Sequence, residues 1–293
     1  MESWDEIRTA YQVARLGTVS GAAEVLGVHH ATVIRHIDAL EKRLGVRLFQ
    51  RHARGYTPTE AGQDLLQVAQ ATEDQLTQFA ARIRGRGEAV TGELVVTSLD
   101  DFAPQLTPVL ISFQAAHPGL RVRYLTDPRV LRLEYGEAHV ALRAGPAPAQ
   151  PDNVVQPFRR HRFALYASKA YLAGHGRPAD AAALAGHAFV GPADPASRAP
   201  FFRWLAAQVP EQAVTFRASS MRALAEAIAG GVGLGFLAVD VAASQPDLVQ
   251  VMAPRPEWDV DLWLVTHVDL HRTIKVQAFL RHLKDQAKSW PET

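Results

Sequence analysis

Residues 20–28 (SGAAEVLGV) and residues 29–41 (HHATVIRHIDALE) decide the fold of the amino-terminal part of this chain. The first stretch predicts a helix that is capped by Ser20 and ends at Gly27. Its Ala22-Ala23 pair is small enough for another helix to approach closely. A second helix follows after a short turn, so the two stretches predict a helix-turn-helix.

The second predicted helix has two distinct faces. Its apolar residues recur at spacings of four, three and four, whereas polar residues occupy the opposite face. The apolar set is Val33, Ile37, Leu40 and Leu44, and the opposite face carries Thr32, Arg35, His36 and Ala39. A hydrogen-bonding face on a helix supported by a crossing partner is suited to reading base edges in a DNA major groove.

The elements around this helix pair predict a small winged domain. An apolar stripe predicts a first helix over residues 4–16, and residues 45–49 and 55–57 flank the basic run 51–54, which indicates a two-stranded wing with a basic tip. Residues 29–58 hold six Lys or Arg against two acids, an excess of four positive charges that fits a phosphate footprint. The alternative interpretation is that these basic residues form an ordinary solvent-exposed face that binds no phosphate. The candidate DNA contacts are Ser20, His29, His30, Thr32, Arg35, His36, Arg51 and Arg54.

A long helix is predicted to follow the wing. Thr59 is its expected cap, and apolar positions then alternate spacings of four and three in the manner of a coiled coil. Two alternatives remain open: the apolar positions pair two chains, or they pack on the chain's own winged domain. The candidate dimerisation residues are Leu65, Ala69, Leu76, Phe79 and Ile83, with Thr72 on the same stripe.

The chain beyond residue 92 predicts an α/β unit of two lobes. Strands and helices alternate, which is typical of a parallel sheet. Pro146, Pro148 and Pro151 indicate a rigid loop, and a second lobe is expected to begin near Ser168. The predicted strands are 94–97, 120–125, 140–142, 162–167, 188–190, 234–237 and 262–267, and the predicted helices are 106–116, 221–229 and 273–284.

Composition excludes several classes of protein. The chain has 293 residues, a net charge of +1, 47% hydrophobic residues and no cysteine, so disulfides and thiolate metal sites are excluded. No apolar run approaches the length of about 18 residues that a membrane span needs. Residues 1–5 lack the features of a signal peptide, so a cytoplasmic location is expected. No cofactor and no metal site is predicted, since the neighbouring histidines 29 and 30 project in different directions.

An enzyme is the first rival interpretation, and it lacks a supporting motif. The glycine-rich run at residues 231–235 follows a predicted helix and precedes a strand, the reverse of a dinucleotide-binding loop, so it is interpreted as a helix-to-strand connection. A solute-binding protein would not need residues 1–90, and a DNA-architectural protein would not need a ligand cleft. A small molecule that changes DNA binding would separate these rivals from a regulator.

The chain resembles the LysR-type transcriptional regulators along nearly its whole length. The resemblance lies in residues 17–23 (GTVSGAA), 26–28 (LGV), 44–49 (LGVRLF) and 57–62 (TPTEAG), together with Arg35-His36-Ile37, Leu40-Glu41 and Arg51. It continues in residues 133–143 (LEYGEAHVALR), 167–172 (ASKAYL) and 231–237 (GVGLGFL). At Ile34 and at residues 29–31 the chain departs from the family pattern, so the operator sequence does not carry over.

The resemblance implies a multidomain α/β architecture and a function. It implies a winged helix-turn-helix at 1–58, a linker helix at 59–91 and a two-lobed, periplasmic-binding-protein-like effector domain at 92–293. Lobe I would comprise about 92–167 and 263–293, and lobe II about 168–262. The implied protein is not an enzyme but a DNA-binding regulator controlled by a small-molecule effector. It would dimerise through the linker helix, form tetramers through the effector domains, and contact RNA polymerase if it is an activator.

The expected effector site lies at the mouth of the interlobe cleft. Where the family commonly has hydroxyls, this chain has Ser98 followed by Asp100 and Asp101, and two carboxylates would repel an anion and attract an ammonium group. Arg143 would hold an acid group, so a zwitterionic or amine-bearing ligand is the hypothesis. The alternatives are that Asp100 caps a helix, that Asp101 complements its dipole, and that Arg143 forms an interlobe salt bridge. Ser219 and Ser220 are either ligand contacts or cap residues.

Overall fold

The amino-terminal domain is a three-helix unit with a two-stranded wing. This computed structural model describes residues 4–52, 55–83, 90–126 and 130–290. The helices are α1 (Trp4–Leu16), α2 (Val19–Leu26) and α3 (His30–Leu44), and the strands are β1 (Phe49–His52) and β2 (Gly55–Pro58), which pair antiparallel. Buried Val33, Ile37 and Leu40 place the inner face of α3 in the domain core.

Three details of this domain differ from the sequence prediction. Thr18, not Ser20, caps α2: its side chain accepts a hydrogen bond from the backbone N–H of Gly21, and Ser20 is exposed in the first turn. Leu44 is 52% exposed because α3 ends at Gly45, whose positive φ of 71° turns the chain away. The wing strand β1 also begins only at Phe49, so Arg51 lies within a strand.

A single long helix, α4 (Glu60–Ile83), leaves the wing. Thr59 caps it as the sequence predicts, since its Oγ1 accepts from the backbone N–H of Gly62 at 3.2 Å. The first half of α4 packs on α1, and the Tyr11 hydroxyl donates to Glu73 Oε2 at 3.0 Å. No helix in the described ranges combines the length and apolar character needed to cross a membrane.

The carboxy-terminal unit contains the remaining helices and strands. In chain order these are β3 (Gly92–Ser98), α5 (Ala103–Ala116), β4 (Leu120–Thr126), β5 (Val140–Ala144), β6 (Asn153–His161), β7 (Phe163–Ser168), α6 (Lys169–His175), β8 (Phe189–Pro192), α7 (Pro200–Gln208), β9 (Val214–Ala218), α8 (Met221–Ala229), β10 (Gly235–Ala238), α9 (Val239–Ala243), β11 (Leu248–Met252), β12 (Val260–His267), α10 (Val268–His271) and α11 (Ile274–Gln286).

Lobe I is built on a five-stranded sheet in the order β4-β3-β5-β12-β6. Strand β3 is parallel to β4 and β5, but β12 is antiparallel to β5 and β6, so the sheet is mixed and not parallel as predicted. Strand β12 is the strand by which the chain returns from the second lobe, and it therefore enters the sheet in the direction opposite to β5. Helices α5 and α11 cover one face through Phe113 and Phe279, whose rings are 5.3 Å apart.

Lobe II has a three-stranded antiparallel sheet, β10-β7-β11, and a parallel pair, β8-β9. A backbone bridge between Phe189 and Leu234 links the two sheets. Aromatic side chains fill the core, with Phe163 and Phe201 stacked at 4.0 Å between ring centroids and Trp258 fully buried.

The chain crosses between the lobes twice, and the crossovers differ slightly from the predicted boundaries. Strand β7 belongs to the sheet of lobe II, so the first crossover is at Arg162 and not near Ser168. The return crossover lies just before Val260, within a few residues of the predicted position near Leu262.

Three strands, β6, β9 and β11, were not predicted from the sequence. Strand β6 contains Pro157, which is tolerated because β6 lies at the edge of the sheet. Strand β9 is short and only partly buried, so its hydrophobic signal is weak. Strand β11 is mostly apolar but has only five residues, and so short an apolar run cannot be assigned to a strand by its periodicity alone.

Candidate DNA-binding surface and effector cleft

The outer face of α3, which we call the recognition helix, is accessible. His29 is the residue that precedes the helix, and its side chain makes no capping hydrogen bond. His29, His30 and Arg35 are exposed, and Thr32 is half-buried. Among the described residues none of these four side chains forms a hydrogen bond or an ion pair, so all four are available to a partner.

His36 differs from the other candidates because it contacts its own domain. Its Nδ1 lies 2.9 Å from the Thr9 hydroxyl, which donates its proton to the carbonyl of Asp5. The hydroxyl therefore accepts from His36, and Nδ1 carries the proton. This hydrogen bond joins the middle of the recognition helix to α1, a positional role that the helical pattern did not indicate.

The wing arginines occupy different positions. The Nη2 atom of Arg51 donates to Asp38 Oδ1 at 2.6 Å and to Glu41 Oε2 at 2.8 Å, so Arg51 faces the recognition helix. Arg47 also donates to Glu41, but its side chain is 73% exposed. Arg54, the other predicted contact at the wing tip, lies outside the described residues.

The candidate dimerisation residues divide into two groups along α4. Leu65 packs against the core of the winged domain, and Ala69 is buried within the same chain. The alternative of packing on the chain's own winged domain therefore describes Leu65, whereas Ala69 is buried without being part of that core. Leu76 is 50% exposed, and the side chains of Phe79 and Ile83 lie outside the described part of the structure.

The loop after β3 carries Ser98, Asp100 and Asp101, the predicted effector contacts. Ser98 is buried, and its hydroxyl donates to the carbonyl of Leu99 and accepts from the Tyr124 hydroxyl at 2.7 Å. Asp100 does not cap a helix, since Leu99 and Phe102 are the residues that precede the 3-10 turn and α5. Asp101 lies in the first turn but is half-buried, so it does not face solvent freely. Burial and, second, the charge of Asp100 raise the pKa of its carboxyl.

Arg143 is engaged within its own lobe. Its Nη2 donates to the carbonyl of Leu131 at 2.7 Å, and it forms no interlobe salt bridge in the described structure, contrary to that alternative. Burial lowers the pKa of the guanidinium, and the nearby Glu134 carboxylate opposes this effect. The structure therefore pairs Arg143 with its own connecting segment and not with Asp100 or Asp101.

Ser220 is a cap residue: its Oγ accepts from the backbone N–H of Ala223 at the start of α8, at 3.2 Å. Ser219 precedes it and is exposed. The glycine run 231–235 connects α8 to β10, as the sequence interpretation holds, and Gly231 has a positive φ of 82°.

A polar contact between the lobes was missed by sequence reasoning. Gln105 on α5 donates to Asp240 Oδ2 at 2.8 Å, and His161 Nε2 lies 3.6 Å from Asp240 Oδ1. The Phe102 ring meets His161 edge-on at 5.5 Å. The one available signal was an acid three residues after a predicted strand, which is too common a pattern to predict a partner 135 residues away.

The fold and these surfaces define a class of protein in which a winged helix-turn-helix domain is joined by a long helix to a two-lobed α/β domain. Residues 4–63 match the model of the bacterial regulatory helix-turn-helix proteins of the lysR family, and residues 87–288 match the LysR substrate binding domain. The chain therefore belongs to the LysR family.

Curated relatives agree with this assignment. The HTH-type transcriptional regulator CrgA of Neisseria meningitidis is 30% identical over 194 residues, which covers 66% of this chain and 64% of CrgA. The match thus spans slightly less than two thirds of that relative. A probable regulator, LtrA of Klebsiella pneumoniae, is 25% identical across 94% of this chain and 91% of its own length.

Solved structures show the same fold. The CrgA structure has a TM-score of 0.60 and 24% identity and covers 98% of this chain and 99% of its own. ArgP from Mycobacterium tuberculosis has a TM-score of 0.74 and 19% identity and covers 99% of this chain and 98% of its own.

Proposed function

We propose that this protein is a sequence-specific, DNA-binding transcriptional regulator whose affinity for its operator is controlled by a small molecule bound between lobes I and II. The single observation that carries the proposal is the accessible face of the recognition helix, where His29, His30 and Arg35 have no intramolecular polar partner among the described residues. Side chains of these types donate to guanine and adenine acceptors and to phosphates.

The oligomeric state follows from the same proposal. The exposed part of α4 around Leu76 pairs two chains, and contacts between effector domains make a tetramer that spans two pairs of half-sites. An effector shifts the population between arrangements of the tetramer and so changes DNA bending. RNA polymerase is a partner if the protein activates transcription. The proposed location is the cytoplasm, where the DNA lies.

The effector class is proposed from the cleft residues. Asp100 is exposed and Asp101 half-buried beside it, which favours a ligand with an amine group. The zwitterionic form of the hypothesis loses support, because Arg143 already donates to the carbonyl of Leu131. Ser219 is the proposed hydroxyl contact in lobe II, since it is exposed and forms no hydrogen bond among the described residues, whereas Ser220 caps α8.

Nuclease footprinting tests the regulator function. The full-length protein is incubated with the DNA that flanks its own gene, with and without amines, amino acids, aromatics and carboxylates. We expect an interrupted palindrome to be protected and its pattern to change with an amine. Arg35→Ala should reduce affinity at least about tenfold, which corresponds to the loss of one good base or phosphate contact.

The matched control is Arg203→Ala, which removes an exposed arginine from α7 in lobe II. This variant should bind DNA like the wild type. The proposed function is wrong if no region is protected and if Arg35→Ala and Arg203→Ala bind DNA equally.

A further inference from the structure

Glu41 is a buried carboxylate at the junction of the recognition helix and the wing. Its Oε1 accepts from the backbone N–H groups of Leu48 and Phe49, at 2.8 and 3.2 Å, where the chain enters β1. Burial raises the pKa of Glu41, but these backbone bonds and those from Arg47 and Arg51 outweigh it, so the pKa lies below its usual value. The charged carboxylate therefore fixes the first residues of the wing to α3.

Arg51 completes this junction from the other side. Its guanidinium bonds Asp38 and Glu41, two residues one turn apart on α3, and lies over the Tyr56 ring of β2 at 5.4 Å. Both protons of Nη2 are used by the two carboxylates. Arg51, on the first wing strand, thus contacts both the recognition helix and the second wing strand.

The local charges do not favour a phosphate at Arg51. The junction holds two arginines, 47 and 51, and two acids, 38 and 41, so its net charge is zero. Asp38 is 52% exposed and would face any phosphate that approached Arg51. A phosphate could use only the three remaining N–H groups, on Nη1 and Nε, of a guanidinium whose charge is already balanced by two carboxylates.

We propose that Arg51 is a positioning residue that sets the orientation of the wing relative to the recognition helix through Glu41, and that it does not bind DNA phosphate. The proposal rests on the proposed function for its effect on DNA, but it makes a separate statement about the free protein. The proposal also assigns the phosphate contacts of the wing to other side chains, because the Arg51 guanidinium is bonded to Asp38 and Glu41 within the protein.

The DNA test compares full-length Arg51→Lys, Arg51→Gln, Glu41→Gln and the double variant Glu41→Gln/Arg51→Gln. Their affinity for a mixed-sequence duplex of about 40 base pairs is measured at several NaCl concentrations. Lysine keeps the charge but does not bridge two carboxylates and stack on a ring at once. We expect Arg51→Lys and Arg51→Gln to weaken binding alike, about tenfold, with the wild-type salt dependence.

The double variant checks whether Arg51 acts through Glu41. If it does, the double variant should bind DNA no more weakly than the single variant with the lower affinity, because both substitutions disrupt the same set of hydrogen bonds. A phosphate contact would behave differently: Arg51→Lys would keep nearly full affinity, Arg51→Gln would lower the salt slope by about 0.9, and the effects of the two sites would add. That result overturns the proposal.

A measurement without DNA separates this proposal from the regulator function. Amide hydrogen exchange of the free protein should show the N–H groups of Leu48 and Phe49 exchanging at least about tenfold faster in Arg51→Lys and Arg51→Gln. Arg35→Ala should leave both amides unchanged, and retained protection of α1 in every variant would show that the domain is folded. If protection at Leu48 and Phe49 is the same in all variants, the positioning role is wrong even if the protein binds DNA.

Discussion

The side-chain amide of Gln105 in lobe I donates to the carboxylate of Asp240 in lobe II over 2.8 Å, and His161 faces the same carboxylate beside the first crossover. This contact joins lobe I to lobe II. An effector that changes the angle between the lobes therefore acts on a polar contact as well as on the crossover strands.

Removing the interlobe carboxylate should destabilise the effector domain. Asp240→Ala is expected to lower the free energy of unfolding by about 1.5–3 kcal/mol, because it removes a hydrogen bond to a charged group and leaves Gln105 without its partner. Urea denaturation followed by tryptophan fluorescence measures this. Asp247→Ala is the control, since its ion pair with Lys169 is exposed, and it should change stability by less than about 0.5 kcal/mol. Equal effects of the two variants would contradict the prediction.

Stability should depend on pH through His161. Burial lowers its pKa, an effect that Asp240 opposes and Arg159 adds to. The unfolded chain therefore takes up a proton at higher pH than the folded protein, so this contribution to stability is complete above about pH 6.5 and is lost as the pH falls below that value. His161→Gln should show a shallower loss as the pH falls below about 6.5 in denaturation at fixed pH. His30→Gln removes an exposed histidine from the other domain, and the dependence of its stability on pH should match the wild type. If the stability of His161→Gln falls with pH in parallel with these two proteins, that result would contradict the role of His161.

Gly62 is required by a close approach of two backbone segments. A Cβ at this position in the first turn of α4 would overlap the carbonyl oxygen of Leu48. Gly62→Ala should therefore destabilise the winged domain by about 3 kcal/mol, because backbone cannot move aside as a side chain can. Gly174→Ala is the control, since nothing lies near its Cβ in α6, and it should leave stability unchanged or raise it by up to about 1 kcal/mol. Thermal unfolding by circular dichroism distinguishes the two, and a Gly62→Ala variant as stable as the wild type would show that this junction can adjust.

The exposed part of α4 should control dimerisation. Leu76→Glu would bury a charge in the proposed contact between two chains and should raise the dissociation constant at least about 100-fold. Light scattering coupled to size-exclusion chromatography measures the resulting mass. Val25→Glu adds the same charge at an exposed position on α2 and should keep the wild-type mass. If Leu76→Glu also keeps that mass, the chains associate elsewhere.

The sequence by itself determined the elements whose signals are local. The spacing of Val33, Ile37 and Leu40 predicted the buried face of α3, and Thr59 predicted the start of α4, because helical periodicity and capping depend on residues within one or two turns. The family motifs added the two-lobed domain. Strand β6 escaped prediction because an edge strand tolerates Pro157 and needs only partial burial.

Only the tertiary structure decided which side chains meet. Arg51, which the sequence predicts as a DNA contact, bonds Asp38 and Glu41, and His36, which the sequence places on the polar face of the helix, lies beside Thr9. Gln105 and Asp240 meet only because the chain crosses between the lobes and returns. Such pairs depend on how distant elements pack, and a sequence pattern describes the face of one element but not the partner that covers it.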